Sequence, residues 1–513
     1  MAKLDKEVHL EEAKELYKVL NSSEKVAETL CIKYDVKYTA GQGRKIRKWL
    51  ENPKEVVSDV FEDAKKKEAP FGKKYYIVTA AQNATPINKS VWKSVKQYAK
   101  HLNAELVVIP LRYKNATSLW NNNNEGAEWW DKETVPYLFA NRQHIHKNLE
   151  IVGDVKIQPT ASTPLVGFEG ISGKESSILG HPRQHFKSLP ILDGQPHKFL
   201  ISTGVVTKPN YTDSKSGKKA EFHHTFGFVV VEELSSNQFT FRQVSIEDDG
   251  KCYDLDYFID GEKEIEQSEN FVDAVVFGDL HLGETCQVSL DASYDMLDRF
   301  TPKNVILHDI MEGYSVNPHD NPFVLATKEK QGLLSISDEI NGVKEFLHTI
   351  IEYNPVVVKS NHDIFIDRFL LNDWRKSSSK ADVLRYSSLQ ANGEIKNGVL
   401  PYEIKQEFGE SVICLTEDDS FKINGVELAI HGHKGASGSR GGITQFKKLN
   451  TKMVVAHSHV PMREDGCTYV GTLTVLRMGY NKGLSAWVNS NVIIHKNGKS
   501  QNIFLFNGEY TNL

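Results

Sequence analysis

Cysteine is scarce. There are five in 513 residues (Cys31, Cys252, Cys286, Cys414 and Cys467), and none forms a CxxC pair. An odd, scattered set excludes a disulfide framework and a cysteine zinc site, and points to a reducing compartment, the cytoplasm. Long apolar runs are also missing. No stretch approaches the ~18 consecutive apolar residues of a spanning helix, so no membrane partner is expected. The first dozen residues carry acids and no apolar core, so neither a secretory signal nor a transit peptide is expected there. Charge of one sign is not in excess: 62 basic against 67 acidic residues give −5. A uniformly basic surface is excluded, and a nucleic-acid partner would need a local patch. No internal repeat occurs. The one low-complexity tract, Asn121 to Asn124, reads as a surface loop.

What is present is an ordinary globular composition, 40% apolar and 25% charged, long enough for two to four domains at ~150 residues each. Residues 1–52 read as three helices. Leu10, Ala13, Tyr17 and Leu20 recur at helical spacing. Ser22 and Ser23 can cap a second helix, Lys25 to Tyr34, with Val26, Ala27 and Leu30 inward. A third, about Gln42 to Glu51, buries Ile46, Trp49 and Leu50. Between Val36 and Trp49 stand five cations, Lys37, Arg44, Lys45, Arg47 and Lys48, and no acid. Residues 53–74 form a charged linker. Residues 75–265 read as a middle α/β domain of unknown role. It opens with a strand (Tyr75 to Thr79), a helix (Lys89 to Leu102) and a strand (Leu106 to Leu111), and has a later strand at Phe226 to Val231. Its His181, His185, His223 and His224 read as polar loop histidines, since no carboxylate or cysteine stands at ligand spacing beside them.

Residues 270–513 hold ten of the 19 histidines. Five short apolar runs there each end at a candidate metal ligand. Ala274 to Phe277 leads to Asp279 and His281. Asn304 to Leu307 leads to His308 and Asp309. Pro355 to Lys359 leads to Asn361, His362 and Asp363. Val426 to Ile430 leads to His431 and His433. Met453 to Ala456 leads to His457 and His459. Helical stretches such as Leu290 to Phe300 and Ser337 to Tyr353 separate most of them, so an α/β sheet is expected, with ligands at its C-terminal strand edge. One histidine after a strand is commonplace; five such elements in order are not. Asp, His and Asn without thiolate favour manganese, iron or zinc over calcium. A shared aspartate can bridge two ions, and two ions suit in-line hydrolysis of a phosphoester.

These motifs resemble the calcineurin-like metallophosphoesterases over about the last 240 residues. The residues that carry the likeness are Gly278-Asp279-Leu280-His281, His308-Asp309-Ile310-Met311-Glu312, Ser360-Asn361-His362-Asp363, His431, and Ala456-His457-Ser458-His459. The resemblance implies an αββα sandwich of two mixed sheets. It implies that Asp279, His281, Asp309 and His459 hold one divalent ion, while Asn361, His431 and His457 hold the other with Asp309 between them. It places His362 at the phosphate as stabiliser or acid, with Asp363 supporting it. Manganese is the first choice of metal, with iron, zinc or magnesium as alternatives. His308, Ser360 and Ala456 replace three glycines usual in the family, which alters loop freedom rather than ligation. Glu312 either orients His362 from behind or faces solvent. The glycine-rich loop after His433, with Lys434 and Arg440, either cradles a phosphodiester or is a mobile surface loop.

The N-terminal pattern resembles a helix-turn-helix, in which Arg44, Lys45, Arg47 and Lys48 would touch DNA. A merely solvated charged helix is the alternative. The whole arrangement is similar to large pre-early phage proteins that degrade host DNA. Together these imply a manganese-dependent DNA nuclease in the host cytoplasm. A phosphoprotein or nucleotide phosphatase is the second reading, and a non-catalytic DNA-bound regulator the third. Homo-oligomerisation is left open.

Overall fold

The computed structural model describes residues 4–20, 22–50, 60–113, 115, 129–377, 379–479 and 481–513; the Asn121–Asn124 tract and part of the linker lie outside them. The chain forms two compact units, 1–63 and 64–513.

The first unit contains helices Lys6–Leu20, Ser23–Lys33 and Ala40–Leu50. Ser22 caps the second by accepting from the Lys25 amide at 3.4 Å, as its sequence position requires. Ala13, Val26, Ala27, Leu30, Ile46 and Trp49 close a small core, joined by Leu4 and Cys31. Tyr17, expected on the inner stripe, is instead exposed. The third helix starts two residues earlier than expected, at Ala40.

The second unit is mixed α/β, with four sheets among the described residues. The predicted strand–helix–strand opening is present: Tyr75–Gln82 and Glu105–Leu111 pair in parallel across helix Lys89–His101. Gly227–Ser235 and Gln238–Ser245 extend that sheet to four strands. A three-stranded sheet of Cys252–Asp254, Tyr257–Ile259 and Glu266–Gln267 follows. At its edge the buried Arg242 guanidinium bonds Glu232 at 2.8 Å and Asp254 at 2.8 and 3.0 Å. Tyr98 and Gln501 also bond Asp254, so one satisfied polar network ties a helix to four strands.

Two larger sheets position the site. In the six-stranded one, Val272–Val276, Asn304–Leu307, Pro355–Val358 and Ile413–Leu415 run parallel, and Ser490–His495 and Ser500–Phe504 complete it antiparallel. The first three of these strands are Val- and Ile-rich because both faces are covered. One face packs under helices Gln287–Phe300, Ile336–Thr349, Phe365–Asn372 and Val399–Phe408. From the other, Ala274, Val276, Ile306 and Val356 meet Val426, Leu428, Val454 and Val470 of the second sheet.

That second sheet has ten strands. Five come from the C-terminal segment: Lys422–Ile423, Val426–Glu427, Met453–Val455, Cys467–Tyr469 and Met462–Glu464. Five come from the middle segment: Phe186–Leu189, Lys198–Ser202, Ser176–Leu179, Leu149–Val152 and Arg142–His146. The seam is the antiparallel pairing of Met462 with Lys187 and of Arg463 with Phe186. This differs from the sequence reading, which separated 75–265 from 270–513. Apolar alternation reports that a strand exists but not which strand it bonds, and here the partner is nearly three hundred positions away. His181 and His185, read as loop histidines, are buried in this region.

Candidate metal centre

The parallel strands of the six-stranded sheet all end on one side. Asp279 and His281 follow the strand at 272–276, Asp309 follows that at 304–307, and Asn361 and His362 follow that at 355–358. The facing sheet brings His431 after its strand at 426–427, and His457 and His459 after its strand at 453–455. Residues spread over 180 positions therefore meet at one rim, as the sequence predicted.

The meeting is close. Asp279, His281, Asp309 and His459 are all buried, with ligand atoms within 4.8 Å of one another. Asp309, His431 and His457 make a second group on the same criterion. Asp309 belongs to both. His281 Nε2 stands 3.1 Å from His459 Nε2, and His459 Nε2 stands 3.1 Å from Asp279 Oδ2. His431 Nε2 is 3.1 Å from Asp309 Oδ2 and 3.0 Å from Asn361 Oδ1. Atoms held at about 2.0–2.2 Å from one ion lie roughly 3.0–3.5 Å from each other, so these edges have the right length. Both Asp279 carboxylate oxygens are buried without a hydrogen bond, despite the nearby His459. An unsatisfied buried carboxylate costs several kcal/mol unless a cation is bound (about that order). The donor set thus fits a divalent metal ion.

Backbone strain marks the same residues. His281, Asp309, His457 and His459 have φ of 45°, 41°, 69° and 56°. A positive φ is uncommon for any residue but glycine, and the three histidines found there among the described residues are all candidate ligands. Close backbone passage explains Gly278: a Cβ there would fall 2.7 Å from Thr472 and 2.8 Å from the Ser490 carbonyl.

Charge in the centre is mutually balanced. Burial opposes ionisation of Asp309, but His431 and His281 beside it hold its carboxyl well below the usual range. Burial likewise opposes the charged form of His281, yet Asp309, Glu312 and Asp279 lift it to about 9. His457 is pushed down to about 4, by burial and then by His431.

The outer residues resolve alternatives that the sequence left open. Glu312 is buried, not solvent-facing. Its Oε2 lies 2.7 Å from His281 Nδ1 and 3.4 Å from His362 Nδ1. Its carbonyl is 2.7 Å from His362 Nδ1. A carbonyl only accepts, so Nδ1 of His362 carries the proton and Nε2 is left for a ligand. Asp363, expected to support His362, bonds backbone instead. It accepts from the Met311 and Ser360 amides at 3.3 and 3.2 Å, so it braces the two loops instead of lining the cavity. His308 fills one of the places usual for glycine as a fully buried ring with both nitrogens unbonded.

A cavity of about 630 Å³ opens over the centre, lined by Asp309, Asn361, His362, His457, His459 and Arg440 among others. Lys434 is turned aside into an ion pair with Glu417 at 2.7 Å, and His433 lies 3.5 Å from the same carboxylate. The glycine-rich loop is ordered: Lys434 and Arg440 pair as a bridge, and Gly441 donates to the His433 carbonyl at 3.2 Å. Arg44 and Lys45 of the first unit are exposed. Lys45 bonds the Leu4 carbonyl at 2.5 Å and stands over the Trp49 ring. The side chains of Arg47 and Lys48 lie outside the described residues.

No protein-family model matches the chain. It is 30% identical over 468 residues to protein A1 of Escherichia phage T5, across 85% of this chain and 83% of that protein. The chain belongs to the protein A1 family. This A1 relative has site residues that its sequence did not announce. Trp487 packs edge-on against His459, centroids 4.1 Å apart, and Asn317, His319 and Tyr469 join the cavity wall. A lone tryptophan between Ala486 and Val488 has no ligand-type spacing signal, and only the closing strands bring Trp487 to the rim.

Proposed function

We propose that this protein is a metal-dependent phosphodiesterase that acts on DNA, built on the two-sheet calcineurin-like scaffold and serving a phage in the host cytoplasm by degrading host DNA. The observation that carries the reading is Asp309, one carboxylate common to two metal-capable groups. In this reading Asp279, His281, Asp309 and His459 hold one divalent ion, and Asp309, Asn361, His431 and His457 the other. Manganese is the preferred metal. Such ions would supply Lewis acidity towards phosphate oxygens and would lower the pKa of a bound water.

The chain's own residues do the rest. Hydrolysis joins a water oxygen to phosphorus and breaks one P–O bond, and the departing oxygen takes up a proton. His362, with Nδ1–H fixed on the Glu312 carbonyl, would act as the imidazolium, giving its Nε2 proton to that oxygen or hydrogen-bonding the phosphate through Nε2–H. Arg440 gives the cavity wall a guanidinium suited to a second phosphate oxygen. Glu312 aligns His281 and His362 together. The three-helix unit, with Arg44 and Lys45 exposed on its third helix, would hold the polymer as a helix-turn-helix does. Family membership with a phage protein agrees with this setting.

The test is one assay. Linear and closed-circular duplex DNA are incubated with manganese, magnesium or EDTA, beside a phosphomonoester, with His362→Ala as control. Manganese-dependent DNA loss that the variant lacks supports the reading. Intact DNA with rapid monoester turnover transfers the protein to the phosphatases, and no turnover of any ester leaves a non-catalytic regulator.

A further inference from the structure

A second cavity, about 360 Å³, lies at the seam where the middle and C-terminal strands join. It shares no lining residue with the metal-centre cavity. Four cations line it, Arg183, Lys452, Arg463 and Lys499, together with His185, His223 and His224. Asp465 is the one carboxylate in its wall. That carboxylate is already engaged. Its Oδ1 accepts from Arg183 at 2.7 Å and from His185 Nε2 at 2.9 Å, and His223 Nδ1 is 3.5 Å away. Arg183 keeps a buried Nε with no acceptor.

Among the described residues Arg463 has no counter-ion. Its side-chain bond among the described residues runs to the Ser245 hydroxyl at 3.3 Å. Burial alone brings its pKa down to about 10, so it stays a cation at neutral pH. Lys452 is exposed at the mouth of the cavity, and among the described residues its ammonium bonds the Gly498 carbonyl at 3.2 Å. Partial burial and then the neighbouring Lys499 lower its pKa, Glu247 opposes them, and Arg463 adds to the repulsion. A fold that gathers Arg183, Lys452 and Lys499 around Arg463, and leaves Arg463 without a carboxylate among the described residues, has a place for an anion. Hydroxyls of Thr451, Thr468 and Ser500 add neutral donors.

The cavity exceeds what a bare oxyanion needs. Phe222 stands on its wall, 66% exposed, and its ring meets His223 edge-on at 4.9 Å. An exposed aromatic beside a cationic recess matches a base beside a phosphate. We propose that this seam cavity is a second site, separate from the metal centre, that takes a nucleoside monophosphate, with the phosphate on Arg463 and Lys452 and the base against Phe222. The inference stands apart from the nuclease reading, since none of its residues serves the metal centre.

The experiment is calorimetric titration of the full chain in EDTA with dAMP, inorganic phosphate and deoxyadenosine. The expected result is saturable dAMP binding, about tenfold or more tighter than phosphate, with no deoxyadenosine binding. Arg463→Gln and, independently, Lys452→Gln should each weaken dAMP at least about tenfold, and Phe222→Ala should weaken it while leaving phosphate unchanged. His362→Ala should bind dAMP like the wild type. Unliganded melting curves identify any variant that fails to fold, and the other cation variant then decides. Equal affinity for phosphate and dAMP overturns the nucleoside assignment. Unchanged affinity in a folded cation variant, or no binding by the wild type, overturns the site.

Discussion

At the residue scale, Asp309 is the group with most at stake, because two ligand sets share it. Asp309→Asn should leave metal content, measured by inductively coupled plasma spectrometry, far below the wild type. It should lower turnover at least about a hundredfold, roughly 2.7 kcal/mol of barrier. Glu312 tests alignment instead of ligation. Glu312→Gln removes the charge 2.7 Å from His281 Nδ1 and should weaken metal binding about 10- to 100-fold in a metal titration; unchanged affinity would show that Glu312 does not tune the ligand. Gly441 tests the loop. A Cβ there would sit 1.9 Å from the Gly432 carbonyl oxygen, so Gly441→Ala should lower the melting temperature and distort the His431–His433 segment, visible as lost histidine shifts by NMR. The residues that gather at the rim were legible in the sequence because their types and order are local facts. Trp487 and the loop-bracing role of Asp363 were not, because both depend on contacts made only after distant segments meet.

At the element scale, the parallel strands announced themselves. Their runs are short, continuous and β-branched because helices cover one face and a second sheet the other. The helix beginning at Ser23 was legible from its cap, and Ile46 and Trp49 from their spacing. Tyr17 was misjudged because periodicity marks a stripe without saying how far the partners extend across it. The third helix also bears on DNA. If it meets the backbone, Arg44→Ala should reduce the salt dependence of DNA affinity by about one phosphate contact, a slope change near 0.9 in a log–log plot. An unchanged slope would assign the exposed Arg44 to the solvated face.

At the scale of the whole molecule, stability should depend on acid in a definite direction. His181 and His495 are buried and His224 is half-buried; all three are held as neutral rings, pushed down to about 3, 4 and 4, first by burial. In the unfolded chain they titrate near about 6.5. Below that pH the unfolded state takes up protons that the folded state refuses, so stability falls as pH drops from about 6.5 towards 4. Urea midpoints measured at pH 7.5, 6 and 5 should decrease in that order; a flat profile would mean that these rings are hydrated in solution. The division of the large unit was the least legible feature. Composition shifts near residue 270, but no local pattern discloses that Phe186–Leu189 bonds Met462–Glu464.

That seam also sets a timetable for synthesis. Lys187 and Met462 are about 275 residues apart, which a ribosome adding about 5–20 residues per second takes roughly a quarter of a minute to a minute to cover. Through that interval the edge at Phe186–Leu189 is on the nascent chain with its native neighbour still unmade. An unpaired edge recruits other strands, so a folding helper that shields it should raise the soluble yield of the whole chain. Translating 64–269 and 270–513 as separate polypeptides should yield soluble protein only when both are made together.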